Sequence, residues 1–150
     1  MKTINKPGDN LGGLLKIWAV PQQVLSLNGK TVIISSSEDV YQIYCTPETI
    51  IATETSKPSE AGTFYEITIQ GFIPKDTEEL SDAVNDMNNR PYYIIYQDGN
   101  GNFKLAGTTG EALRLNASLS SGKQESDRAG YTISFSGKTL SRSVFVTNPF

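Results

Sequence analysis

Reactive side chains are what this 150-residue chain has least of. It contains no histidine, so a Ser–His or Cys–His nucleophile pair is impossible. Its single cysteine, Cys45, excludes an internal disulfide. Cys45 ends an apolar alternation with Val40 and Ile43 and is expected to pack as a small hydrophobe. Long hydrophobic runs are missing too. Leu11–Val20 is interrupted by Gly12, Gly13 and Lys16, which argues against both a membrane span and a secretory leader. The chain is therefore expected to be made and folded in a cytoplasm. Asn116-Ala117-Ser118 fits the glycosylation sequon, but a three-residue match is common by chance.

Positive charge is in slight deficit, with 13 basic against 16 acidic residues and a net charge of −3. That balance is too small and of the wrong sign for a nucleic-acid binder judged on totals. Its distribution is uneven. Residues 1–37 carry four lysines (Lys2, Lys6, Lys16, Lys30) against Asp9, for +3. Residues 38–98 carry twelve acids against Lys57, Lys75 and Arg90, for −9, and residues 99–150 return to +3. Basic ends around an acidic middle suit a subunit with unlike faces, able to stack on its own copies through heterologous contacts. The plainer reading is that sheet edges and one solvated helix are acidic.

What the chain does have is β pattern. Leu14–Val20, Thr31–Ser35, Val40–Cys45, Thr49–Thr55, Thr63–Gly71, Phe103–Gly107, Ala112–Ala117, Gly130–Gly137 and Ser143–Thr147 all read as strands, rich in β-branched and aromatic residues. Tyr92–Gln97 is apolar on both faces and is expected to be central and buried. Within Thr63–Gly71, Phe64, Glu66, Thr68 and Gln70 share one face, and Tyr65, Ile67, Ile69 and Gly71 the other. Leu27-Asn28-Gly29-Lys30 predicts a type I′ hairpin centred on Asn-Gly. Asp98–Asn102 predicts another tight hairpin. Ser56–Gly62 is expected to be a projecting loop, Phe72-Ile73-Pro74 to end a strand, and Leu119–Ala129 to be a second polar loop.

One helix is expected, at about residues 76–89. Asp76 would be its N-cap with Glu79 completing a capping box. Leu80, Ala83, Val84 and Met87 form its apolar stripe, and Asn88-Asn89 before Arg90-Pro91 form its exit. The fold class is therefore mainly β: an antiparallel β-sandwich or barrel with one flanking α-helix. The chain divides into an extended N-terminal arm, residues 1–13, and a single sandwich domain, residues 14–150.

The motifs that resemble chemical sites fail on their own requirements. Ser136-Gly137-Lys138-Thr139 resembles the end of a phosphate loop, but Thr132 stands where a glycine is needed, and a strand pattern follows in place of a helix. Asp98-Gly99-Asn100-Gly101-Asn102 resembles the opening of a calcium loop, yet Phe103 and Thr109 occupy the glycine and glutamate positions. No catalytic residue, cofactor-binding residue or metal ligand is expected, and the chain reads as a non-enzyme. The aromatics leave a second class open. Trp18, Tyr41, Tyr44, Tyr65, Tyr92, Tyr93 and Tyr96 would, if exposed, make stacking platforms for an adhesion or carbohydrate-binding module.

Taken together, arm, hairpin loop, single helix and β-sandwich resemble the ring-forming tail tube proteins of bacteriophage virions. Locally, Asn10–Trp18, Asp98–Gly107 and Gly130–Phe135 are similar to structural proteins of phages from gut bacteria. The resemblance implies a virion tail protein whose copies close into rings, hexameric in that family, that stack into a tube conducting DNA. Its implied partners are copies of itself, other tail proteins, and DNA passing without sequence-specific contact, with no membrane. A lumen with few basic residues would let DNA pass, since each phosphate contact retards it. A head–tail connector, stopper or head decoration protein is the neighbouring alternative. Leu11, Leu14, Trp18 and Phe150 are the residues expected at the assembly interface. Removing residues 1–13 is expected to leave a folded subunit that does not assemble.

Overall fold

Two strands that are buried on both faces organise the molecule. A computed structural model describes residues 14–88, 90–107, 110–124 and 129–150. The arm, with Leu11, lies outside the described residues, as do Asn89 and Thr109. The first of the two strands, β1 (Leu14–Pro21), turns Ile17 and Ala19 to one side and Trp18 and Val20 to the other, and all four are buried. After it come β2 (Leu25–Asn28), β3 (Thr31–Ile34), β4 (Tyr41–Ile43), β5 (Ile51–Ser59) and β6 (Gly62–Pro74). The helix α1 (Glu78–Met87) then leads to the second buried strand, β7 (Pro91–Asp98). The chain finishes with β8 (Phe103–Ala106), β9 (Leu113–Ser120), β10 (Gly130–Thr139) and β11 (Val144–Val146).

Nine of these strands form one antiparallel sheet, and β2–β3 form a separate hairpin. β7 is the branch point. One edge pairs with β1 along its length, from Asp98 opposite Leu14 to Tyr92 opposite Pro21. Its other edge is divided, with Pro91 and Tyr92 pairing with β9 and Ile94–Gln97 pairing with β8. From that fork the sheet runs one way through β8 to β11, and the other through β9, β10 and β6 to β5.

The divided sheet folds over itself. Tyr92, Ile94 and Tyr96 of β7 face Ile67 and Ile69 of β6, Leu115 of β9 and Ile133 and Phe135 of β10 in the larger core. Tyr93 and Ile95 face the opposite way, into a second core closed by Val32 of β3, Leu105 of β8 and Val146 of β11. A strand covered on both sides has no polar face to offer, which is why Tyr92–Gln97 carries an unbroken apolar run. The result is the expected mainly β architecture: a β-sandwich with one helix.

α1 closes one side of the larger core with Leu80, Val84 and buried Met87. Its start differs from the expected one. Thr77 is the N-cap, its hydroxyl accepting the Leu80 N–H at 3.1 Å. Asp76 lies one residue too early, and its carboxylate accepts the Tyr131 hydroxyl at 3.0 Å. With Leu80 at the third helical position, no capping box forms.

Four further boundaries depart from the sequence pattern. The first hairpin turns on Gly29-Lys30, because Asn28 still pairs with Thr31. Gly29 has φ +63° while Lys30 has a negative φ, the pattern of a II′ turn in place of I′. Ser56–Gly62 is not a loop, since β5 and β6 pair out to Ser59 opposite Gly62, leaving only Glu60-Ala61 as the turn. Composition misleads there because ladder hydrogen bonds are made by any backbone, and Pro58 is tolerated on an outermost strand. Phe72–Pro74 likewise remain in β6, and Leu119 and Ser120 remain in β9, both held by pairing with β10.

Cys45 is buried, as its pattern indicates, and Gly71 makes room for it. A Cβ on Gly71 would stand 2.6 Å from the Cys45 Sγ. Burial pushes the thiol up to about 11, well above its usual range.

Candidate assembly surfaces

A sheet that does not close must end on edges, and the edges here are unequal. β4 and β11 are three residues each, short enough to offer little to another chain. β5 is nine residues long and, among the described residues, pairs only with β6. Its solvent face carries Ile51, Thr53, Thr55 and Lys57 opposite Gln70, Thr68, Glu66 and Phe64. Ile51 is 56% exposed, although it begins the strand beside the core.

β5 is not uniform along its length. Toward the hairpin tip, Lys57 pairs with Glu66 at 3.0 Å and Pro58 removes one backbone donor. Charge and proline are standard blocks to strand addition. In the half nearer the core, Glu54 points inward, where it accepts the Ser143 N–H at 2.9 Å and stands 3.9 Å from the Arg142 guanidinium. This bond ties β5 to the segment between β10 and β11. Ile51–Thr55 is therefore the part of the edge free of blocking residues on its outer face.

Two clefts meet at Tyr41, beside α1. The apolar one, of about 220 Å³, is lined by Tyr44, Ile73, Leu80, Ala83, Val84 and Met87 among others, with no charged residue. The polar one, of about 420 Å³, is lined by Pro21, Glu38, Asp39, Asp86, Arg90 and Tyr92 among others. The Tyr41 hydroxyl donates to Asp86 at 2.9 Å, and that carboxylate also pairs with Arg90 at 3.1 Å. The bond to Asp86 is the main reason the Tyr41 pKa is raised, with burial second. Glu38 and Asp39 are exposed and make no ion pair among the described residues.

The residues expected at the interface divide. The structure brings Trp18 and Phe150 together, their rings stacked at 4.6 Å, with Phe103 at 5.8 Å from Trp18. Trp18 is 7% exposed and belongs to the second core, whereas Phe150 is 52% exposed and offers its outer side. Leu14 opens β1 opposite Asp98, and Leu11 lies outside the described residues. The open β5 edge is not legible in the sequence, because unpaired backbone leaves no mark there. Only β-propensity followed by lysine and proline hints at it.

Of the aromatics suited to sugar stacking, Trp18, Tyr92, Tyr93 and Tyr96 are buried. Tyr41 and Tyr65 are half-buried, which leaves Tyr44, 68% exposed, as the open ring of that set. Among the described residues no cluster of three metal-ligating side chains occurs. Ser136–Thr139 lies wholly within β10, without the loop a phosphate site needs. No protein-family model, curated protein or solved structure matches this chain.

Proposed function

We propose that this protein is a structural, non-catalytic subunit of a phage tail, whose copies join into rings, hexameric by resemblance, that stack into a tube for DNA. The observation that carries this reading is the open β5 edge. Nine residues of strand end the sheet with one side of their backbone unpaired among the described residues, and in the assembly a neighbouring sheet supplies the missing hydrogen bonds. A subunit built to stay alone would shorten or cover such an edge, as this one does at β4 and β11. Basic ends around an acidic middle suit a subunit with unlike faces and so favour head-to-tail over two-fold contact.

Light scattering with negative-stain microscopy across a concentration series tests the reading on the purified chain. Rings or tubes are the expected result. Ile51→Lys with Thr55→Lys places two lysines on the free part of the edge and is expected to leave a folded monomer. A wild-type chain that stays monomeric at every concentration overturns the proposal.

A further inference from the structure

The polar cleft at Tyr41 is built from separate parts of the chain. The turn between β3 and β4 brings Glu38 and Asp39, the last turn of α1 brings Asp86, the segment after α1 brings Arg90, and β4 and β7 bring Tyr41 and Tyr92. Asp86 is already engaged, by the Arg90 guanidinium at 3.1 Å and the Tyr41 hydroxyl at 2.9 Å. Glu38 and Asp39 therefore leave the cleft with an excess of two negative charges. Two exposed carboxylates by themselves are ordinary surface charge.

Tyr92 sets this cleft apart. Its side chain is 2% exposed, yet its hydroxyl has no hydrogen-bond partner among the described residues. Leaving a buried hydroxyl unpaired is costly, and Tyr41, Tyr93 and Tyr131 each use theirs. The Tyr92 ring meets that of Tyr41 edge-on at 6.3 Å. Burial pushes the Tyr92 hydroxyl up to about 12, and Tyr41, Arg90 and Asp86 act on it as well. Its oxygen thus stands among the groups of the acidic cleft, protonated at neutral pH and able to accept a hydrogen bond.

The complement of these groups is a positively charged donor. A bare metal ion needs several ligands converging on one point, and among the described residues no three metal-ligating side chains cluster. A volume of about 420 Å³ is that of a small-molecule site. Carboxylates beside aromatic rings suit an ammonium group, which is attracted by both. A quaternary ammonium has no N–H and would leave the Tyr92 oxygen unpaired, whereas a primary ammonium has three donors to share between carboxylate and hydroxyl. We propose that this cleft binds a small primary amine in its ammonium form, with Glu38 and Asp39 supplying the charge and the Tyr92 hydroxyl accepting one N–H. The site lies within one subunit and is independent of whether copies assemble.

Calorimetric titration of the full chain with butylammonium and with tetramethylammonium, at pH 7 and about 50 mM salt, tests it. Saturable binding of butylammonium, at least tenfold tighter than tetramethylammonium, is expected. Glu38→Gln/Asp39→Asn is expected to weaken butylammonium binding at least tenfold, and a Glu60→Gln control at the hairpin tip to leave it unchanged. Tyr92→Phe removes only the oxygen. Since that oxygen has no partner within the subunit, the variant is expected to keep its thermal stability and lose most of the preference for butylammonium. A hydroxyl with a purely structural role would do the reverse. No saturable binding, equal affinity for the two cations, or full binding by Glu38→Gln/Asp39→Asn overturns the proposal. A lysine blocked at both backbone ends offers the same ammonium as part of a protein. Butylammonium binding at least as tightly as blocked lysine supports a free amine, whereas tighter binding of blocked lysine overturns that assignment and gives the cleft to a partner's side chain.

Discussion

β7 and β5 are strands of similar length with opposite circumstances. β7 is paired on both edges and packed on both faces, and β5, among the described residues, is paired on one edge with one face in solvent. The contrast separates two uses of the same backbone chemistry. Where every hydrogen bond and both faces are satisfied within the chain, a strand supplies stability. Where one row of donors and acceptors is left open, a strand supplies a surface for another molecule. A single sheet here contains both conditions.

Mutations sharpen the difference. Ile94→Ala removes a side chain with no solvent exposure from β7 and is expected to lower stability by about 2–5 kcal/mol in denaturant titration. Ile51→Ala on β5 should change stability by no more than about 0.5 kcal/mol. Comparable losses at the two positions would erase the distinction between core strand and open edge.

Alkaline titration probes the same interior at somewhat smaller amplitude. Burial holds the Cys45 thiol up at about 11 and the Tyr92 hydroxyl at about 12 in the folded chain. Both groups ionise more readily once unfolded, so the stability they contribute is complete below pH 9 and is lost as pH rises from about 9 to 12. The Cys45 part is on the order of 2 kcal/mol. Cys45→Ala should flatten the lower portion of that decline, and an unchanged profile would show that the thiol is not held neutral by burial.

The smallest effect concerns the helix start. Thr77→Ala removes the hydroxyl that accepts the Leu80 N–H, and thermal unfolding should report a loss of about 1 kcal/mol. Asp76→Ala, if Thr77 is the cap, should act through the Tyr131 hydroxyl it accepts and leave helix content unchanged by circular dichroism.

Sequence pattern conveyed the fold class because burial leaves a periodic trace. The alternation in Thr63–Gly71 matches the faces of β6, and the unbroken apolar run of Tyr92–Gln97 marks the strand with a core on each side. Boundaries were harder. Ser56–Ser59 has loop composition and strand pairing, since the ladder is formed by backbone groups common to all residues but proline. Asn28-Gly29 signals a hairpin accurately, but the register that moves the turn to Gly29-Lys30 depends on cross-strand packing. Trp18 shows the same limit from another side. It is expected at an interface as an apolar residue alongside Leu11 and Leu14, and within the subunit its ring lies against Phe103 and Phe150. An aromatic's pattern cannot distinguish a core from an interface, because both are dry.

The fork in β7 has a consequence for the order in which the molecule comes into being. Both cores draw on this one strand, and its principal partner β1 precedes it by some seventy residues. A chain emerging from the ribosome therefore holds β1 through β6 before the shared strand exists, and the last buried residues of the two cores, Phe135 and Val146, are made later still. The pairing of β7 with β1 is a distant contact of the kind that slows folding, and two cores that share a strand are bound to appear, and to be lost, together.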